Sequence, residues 1–349
     1  MILITKKTLF IFILIVIVIT LVFLGITMIP LLSKLHVTYD VYVQGNYAYI
    51  TNNDGTKIID ISNPSNPRTL GQVSTSDGAF GVFIKENLAY IASYSNGFII
   101  ANITIPENPE IVGEHSDGGS AFSVWIEGLY AYVTDYPHGL EIFNVTNPRE
   151  IAKISVYNDK GEFRDIALKN GYAYLADPQY GLKILNVSDP TSPEKVRTVS
   201  GTYGVLDIYI HGNLLFLGCH QNGVHILNIS NPHSPESLGQ YYKSENEAYG
   251  VSGNRTHLYV ADLQKGVYVL NITDPSLPNE IFSYDNAAPH DIFMDGRYIY
   301  LADQNTELII LESNLTPISI SVNTSIPNFI LTISIFTLIS ILILKKKKM

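Results

Sequence analysis

Eight aspartates stand at corresponding points of a recurring hairpin: Asp40, Asp135, Asp165, Asp177, Asp207, Asp262, Asp291 and Asp303. Pairing the two strands about Gly45-Asn46 sets Asp40 opposite Asn52, at the end away from the turn. The same pairing elsewhere sets Ser123 opposite Asp135, Asp165 opposite Asp177 and Asp207 opposite Cys219. It also sets Gly250 opposite Asp262 and Asp291 opposite Asp303. The acids are thus expected on one face of the molecule, around a central opening. A strand-end aspartate ordinarily accepts hydrogen bonds from turn N–H groups, and capping is its first expected role. Like charges crowded together also favour a counter-ion or a basic ligand. Carboxylate oxygens suit hard ions, so calcium, weakly held, is the one cofactor the pattern suggests.

Other chemistries find less support. Nine histidines are scattered; His220 and His225 lie near the single Cys219, and His290 precedes Asp291. Their spacing forces no convergent metal geometry, so they are read as surface or turn residues. One cysteine excludes an intramolecular disulfide and a cysteine-built zinc site. No Gly-x-Ser-x-Gly elbow occurs, and no glycine-rich phosphate loop opens a helix. A formal charge of −10 argues against nucleic acid as a partner. All 32 acids lie between Asp40 and Glu312, against 15 bases there, a formal charge of −17.

The elements that must position these residues come in seven copies. The aromatic that ends each Tyr-Ala-Tyr-like triplet falls at Tyr49, Tyr90, Tyr132, Tyr174, Phe216, Tyr259 and Tyr300, at spacings of 41 to 43. Each unit reads as four short strands, with alternating apolar residues rich in β-branched and aromatic types. The first turn is expected at Gly45-Asn46, Glu86-Asn87, Glu127-Gly128, Asn170-Gly171, Gly212-Asn213, Gly253-Asn254 and Asp295-Gly296. An Asx-Pro turn follows the third strand, as at Asn63-Pro64 and Asp189-Pro190. Four strands in about 42 residues, seven times over, predict an all-β, seven-bladed β-propeller.

The repeats resemble the LVIVD repeat family. Gly171 to Asp177 reads GYAYLAD and Gly181 to Pro190 reads GLKILNVSDP; Gly45 to Ile50 reads GNYAYI and Lys57 to Pro64 reads KIIDISNP. The resemblance covers all seven units, with departures at Ile105-Pro106, at Arg149-Glu150 and at Glu312-Ser313-Asn314. It implies a prokaryotic, often archaeal, cell-surface propeller that binds or scaffolds, and it implies no known chemistry.

The ends are of another kind. Thr8 to Leu32 carries no formal charge and follows Lys6 and Lys7; Phe329 to Leu344 is uncharged and precedes Lys345 to Lys348. Runs of roughly 20 apolar residues span a bilayer, and flanking lysines stay inside. The expected plan is a signal anchor or cleaved signal peptide at 1–32, a propeller at 33–322 and a short tether at 323–327. A transmembrane helix at 328–344 and a basic cytoplasmic tail at 345–349 complete it. The propeller is then outside the cell, its acidic face held toward the bilayer by two short tethers, and Pro317 to Val322 supplies the outer strand of the last blade. Among eight Asn-x-Ser/Thr sequons, five share one repeat position where Asp60 also stands, so that position is read as a polar acceptor first. Asn254, Asn314 and Asn323 are the better glycosylation candidates. The functional expectation is a membrane-anchored binding module with a protein or glycan partner outside the cell. A surface lyase or hydrolase at the channel mouth is the alternative.

Overall fold

Successive side chains on a strand point to opposite faces. The middle strands of these repeats are apolar on both, so each sheet must be covered on two sides. The computed structural model describes residues 37–314 and 317–321. They form seven antiparallel sheets of four consecutive strands each, in simple order. Blade 1 is Thr38–Gln44, Tyr47–Asn52, Gly55–Asp60 and Arg68–Ser74; blade 7 is Pro289–Asp295, Tyr298–Asp303, Glu307–Glu312 and Pro317–Ser321. The fold is the expected all-β seven-bladed propeller. The last blade takes its outer strand from Pro317–Ser321, and among the described residues no strand of the other end joins that sheet. First strands of neighbouring blades touch in succession round the ring. The two apolar end runs lie outside the described residues. Among the described residues no helix is long and apolar enough to cross a membrane.

The core is seven apolar clusters, each shared by two neighbouring blades. The repeat explains them. Ala48, Ala89, Ala131 and Ala173 are fully buried on one face of the second strand, and the aromatics Tyr49, Tyr90, Tyr132 and Tyr174 are buried on the other. The ring closes where Val41, Ile50 and Ile59 of blade 1 meet Tyr300, Leu308 and Ile310 of blade 7. Two polar contacts back that seam: Lys57 Nζ lies 2.5 Å from Glu307 Oε1, and the Val41 N–H donates to Asp291 Oδ2 at 3.0 Å.

The register differs from expectation in detail. The turns of blades 1, 2, 4 and 5 fall at the expected pairs. In blades 3 and 7 the turn is one residue later, at Gly128-Leu129 and Gly296-Arg297, because glycine takes the position with φ near +60°. In blade 6 the turn is Asn254–His257, held by the Asn254 side chain. At the far end Thr38, not Asp40, faces Asn52, and a bulge lies between Thr38 and Val41. Asp135 faces Ala121, Asp262 faces Ala248 and Asp303 faces Pro289, each beside a similar shift. Asp165 and Asp207 face Ala176 and Gly218 without one, and Asp291 faces Ala302.

The outer strands meet the proline turn that follows the third strand of the next blade, Asx-Pro in most blades and Ile105-Pro106 in blade 2. A Cβ at Gly113 would stand 2.0 Å from the Pro148 carbonyl oxygen, and one at Gly71 or Gly239 would stand 2.3 Å from that of Pro106 or Pro275. Ser155, at the same point of blade 3, donates its hydroxyl to the Pro190 carbonyl at 2.6 Å. Gly113→Val is therefore expected to push blades 2 and 3 apart at their rim and to destabilise by about 1–3 kcal/mol, read as a lower midpoint in urea.

Candidate functional site

Alternation aims every second residue of the innermost strand into the central channel. In blade 1, Val41 and Val43 enter the core while Asp40 and Tyr42 line the opening. Repeated round the ring, this gives layers. At one end, Tyr39 stacks on Phe80 at 4.2 Å, the Arg164 guanidinium sits 4.2 Å from the Phe122 ring centre, and Tyr249 meets His290 at 5.7 Å. Arg164 also pairs with Glu162. Below lie Asp40, Asp165, Asp207 and Asp291, with Gly81, Ser123 and Gly250 at the other three places. A second aromatic layer follows: Tyr42 lies 5.3 Å from Phe83 and 5.2 Å from Phe293, and Phe83 lies 5.3 Å from Trp125. The cavity holds about 740 Å³.

The four channel carboxyls clasp the ring. One oxygen of each accepts a main-chain N–H from the next blade: Asp40 from Val82 at 2.7 Å, Asp165 from Ile208 at 2.9 Å, Asp207 from Val251 at 2.6 Å and Asp291 from Val41 at 3.0 Å. Asp165 also accepts the Ser123 hydroxyl at 2.7 Å. Beyond the clasps the acids pair, Asp40 with Asp291 and Asp207 with Asp165. Burial pushes Asp40 and Asp207 well above the carboxylate range, and the neighbouring charge of Asp291 or Asp165 pushes them further. Burial raises Asp165 and Asp291 too, against the hydrogen bonds that favour their charged forms. In each pair, burial and the neighbouring carboxyl thus favour the protonated form of Asp40 and of Asp207.

The other four acids do not join this ring. Asp135, Asp177, Asp262 and Asp303 end second strands, one strand farther from the axis, and all are buried. They tie down the turn to the third strand. Asp177 accepts from the N–H groups of Gln179 and Tyr180, Asp262 from Gln264 and Lys265, and Asp303 from Asn305 and Thr306. The capping role is thus realised in full at these three. Asp135 instead meets His138 Nδ1 at 3.1 Å, and burial raises its carboxyl to about 6. The expected single ring of eight is corrected to four in the channel and four between blades. The cause is the one-residue register difference together with the strand on which each acid stands.

Among the sequon residues, Asn102, Asn144, Asn186, Asn228 and Asn271 each accept the N–H two residues on, as Asp60 does from Ser62. The polar-acceptor reading of that position is what the geometry shows. Asn254 is half-buried and its Oδ1 accepts from the Thr256 and His257 N–H groups; Asn314 is exposed; Asn323 lies outside the described residues. The residues the sequence reading missed are the channel aromatics. Their signal was present, because Tyr39, Phe80, Phe122 and Tyr249 each precede the acid position, and Tyr42, Phe83, Trp125, Tyr209 and Phe293 stand two after it.

The LVIVD repeat model matches at residues 37–75, 78–116, 118–159, 160–200, 204–242, 250–286 and 289–324. None of the curated proteins compared matches the chain. Solved structures share the fold at low identity. The beta-propeller domain of Cps50 (Swd1) from Myceliophteria thermophila is 10% identical with a TM-score of 0.67, over 79% of this chain and 95% of that one. A functionally unknown protein from Desulfotomaculum acetoxidans DSM 771 is 14% identical with a TM-score of 0.62, over 77% and 92%. The computationally designed Ika8 protein is 9% identical with a TM-score of 0.60, over 79% and 83%.

The paired channel acids have a pH signature. An aspartate whose folded pKa is raised binds its proton more tightly folded than unfolded. Its stabilising contribution is complete below the unfolded value and is lost as pH rises through the folded one. Asp207→Asn keeps an acceptor for the Val251 N–H and a donor toward Asp165 without a titrating proton. Melting temperature followed from pH 4 to 9 is expected to fall less steeply in Asp207→Asn than in the parent.

Proposed function

The chain belongs to the LVIVD repeat family, and from that premise we propose that it is a membrane-anchored, outward-facing binding module whose channel takes a small organic cation with apolar substituents. The observation that carries this reading is the combination in one cavity of paired carboxyls and two layers of aromatic rings. Ring faces attract a cation through their quadrupole, and more strongly when it is desolvated. The carboxyl pairs add net negative charge at the same depth, and the excess of acids over bases in the propeller draws cations toward it. A hard ion such as calcium fits less well. One oxygen of each acid is committed to a neighbouring blade, and the surrounding walls are apolar rather than oxygen-rich.

The apolar runs Thr8 to Leu32 and Phe329 to Leu344, with their flanking lysines, support the anchoring half of the proposal. The Asx-Pro turns are the surface offered to a protein or glycan partner. A hydrolase or lyase at the channel is the second reading. It is favoured by the carboxyl pairs, in which burial and a neighbouring acid raise Asp40 and Asp207 well above ordinary aspartates. Binding is preferred because those same carboxyls hold the ring together.

Trp125 is the only tryptophan of the chain and lines the channel, so it reports occupancy directly. Full-length protein in detergent is to be titrated with tetraethylammonium, with phenethylamine and with calcium chloride. Saturable change in Trp125 fluorescence with the organic cations is expected, weakened about ten- to a hundredfold in Asp165→Asn/Asp207→Asn. A response to calcium alone would replace the organic cation by a hard ion. No saturable response to any of the three would reject the channel as a cation site.

A further inference from the structure

Between blades 2 and 3, away from the channel, two histidines and three carboxylates converge. His115 ends the fourth strand of blade 2, Asp117 lies in the connection to blade 3, Asp135 is next to last in the second strand of blade 3, and His138 and Glu141 flank the start of its third. His138 Nδ1 is 3.1 Å from both Asp117 Oδ1 and Asp135 Oδ1. Nitrogen and oxygen donors about 2.0–2.2 Å from one metal ion stand roughly 3.0–3.4 Å apart, so these three already have the mutual spacing of ligands. Donor atoms of His115, Asp117 and Glu141 lie within 4.8 Å of one another on the other side of Asp117. His115 Nε2 is buried there with no hydrogen-bond partner. The backbone leaves room beside the donors at Gly119, where a Cβ would fall 1.7 Å from Asp135 Oδ1 and 2.6 Å from His138 Nδ1.

The next repeat supplies an internal comparison, since every residue of this cluster has a counterpart 42 positions on. Asp117, Asp135, Lys153 and Gly119 recur as Asp159, Asp177, Lys195 and Gly161. The other three change type: His115 becomes Tyr157, His138 becomes Tyr180 and Glu141 becomes Lys183. In blade 4 the Lys183 ammonium, buried, bridges Asp159 Oδ1 at 2.7 Å and Asp177 Oδ2 at 2.9 Å. With Lys195 nearby at 3.4 Å from Asp159, two acids face two bases and the seam is neutral. In blade 3 the same buried position holds the opposite charge. Lys153 alone, 2.5 Å from Asp117 and 2.9 Å from Glu141, faces three carboxylates. The formal deficit is two charges, and each of the three changed residues has become a metal donor.

We propose that this seam binds one divalent transition-metal ion, zinc or a first-row neighbour, through His138 Nδ1, Asp135 and Asp117. Glu141 and His115 close the far side. One such ion restores the neutrality that Lys183 gives the next blade. The mixture of imidazole and carboxylate donors selects this class over calcium and magnesium, which take oxygen ligands. The ion ties the outer strand of blade 2 and the connecting loop to blade 3, so its role is to lock one seam of the ring.

The test is made on full-length protein in detergent, dialysed against zinc and then against metal-free buffer, with metal counted per chain. The comparison is His115→Tyr/His138→Tyr/Glu141→Lys, which installs the arrangement that blade 4 already folds with. The parent is expected to retain one zinc more than the variant, and its melting temperature to rise with zinc while that of the variant stays put. Cobalt(II) should give visible ligand-field bands in the parent that the variant lacks. Equal zinc in both proteins, or none in the parent, overturns the proposal. Should the triple variant fail to fold, His138→Tyr alone, at a partly exposed turn, takes its place: loss of the retained zinc supports the site, and zinc equal to the parent's overturns it.

Discussion

Each blade has two apolar faces, and only another blade can cover them. Every other feature of the molecule follows from that constraint. In blade 1 one open face would expose Tyr49 and Ile58, and the other Ile50 and Ile59, all almost wholly buried in the closed ring. At about 25 cal/mol per Å² of apolar surface, one uncovered face rivals the entire net stability of an ordinary domain. The seam between blades 7 and 1 is therefore equal in kind to the other six. It is built from Val41 and Ile50 against Leu308 and Ile310, and among the described residues no strand is exchanged across it. Closure also explains the glycines of the outer strands, because at Gly71, Gly113 and Gly239 a proline carbonyl of the next blade occupies the space of a side chain.

Bringing the blades together creates a second requirement at the axis. The innermost strand of each sheet has one edge with no strand beside it, and its N–H groups need acceptors. In four blades an aspartate of the preceding blade supplies one, which places carboxyls in the channel for a structural reason first. Crowding limits their number at two of the other three places. A Cβ at Gly81 would lie 2.7 Å from the Phe122 carbonyl oxygen, and one at Gly250 would lie 2.8 Å from the Asp291 Cα, so no side chain fits there. The acids that remain stand near enough that the neighbouring carboxyl raises Asp40 and Asp207 further, beyond the effect of burial. The electrostatics of the channel are thus a consequence of how seven strands pack round one axis.

Periodicity made the architecture legible. The triplets ending at Tyr49 through Tyr300 gave the blade count, and the Asx-Pro turns gave the fourth strand, because both arise from local geometry repeated without change. The site was legible only in part. Asp40, Asp165, Asp207 and Asp291 were found, but Asp135, Asp177, Asp262 and Asp303 were placed with them. Hairpin pairing counted from the turn carries no information about a bulge such as that between Thr38 and Val41. A one-residue error in register then changes which groups face each other. The pairing of Asp40 with Asp291 lies further out of reach, since those residues are 251 apart in the chain and meet only because the ring closes. His115 and His138 looked scattered for the same reason: they belong to different blades.

The third strand shows where such a ring tolerates chemistry. The residue opposite Ile50 in blade 1 is Lys57, and its equivalents are Ile99, Glu141, Lys183, His225, Tyr268 and Ile309. The position is buried in most blades, yet its charge runs from positive to negative. The lysines, the glutamate and the histidine each have a local partner: Glu307 for Lys57, Asp159 and Asp177 for Lys183, Lys153 for Glu141, and Gln240 for His225. A buried charge without a partner is strongly destabilising, so the occupant and its surroundings must change together. They do so within one seam, because residues there contact only the adjoining blades. A repeat protein can therefore remodel a single interface while six others keep the ring closed, and a seam with an unbalanced charge is the place where an external ion does what a lysine does next door.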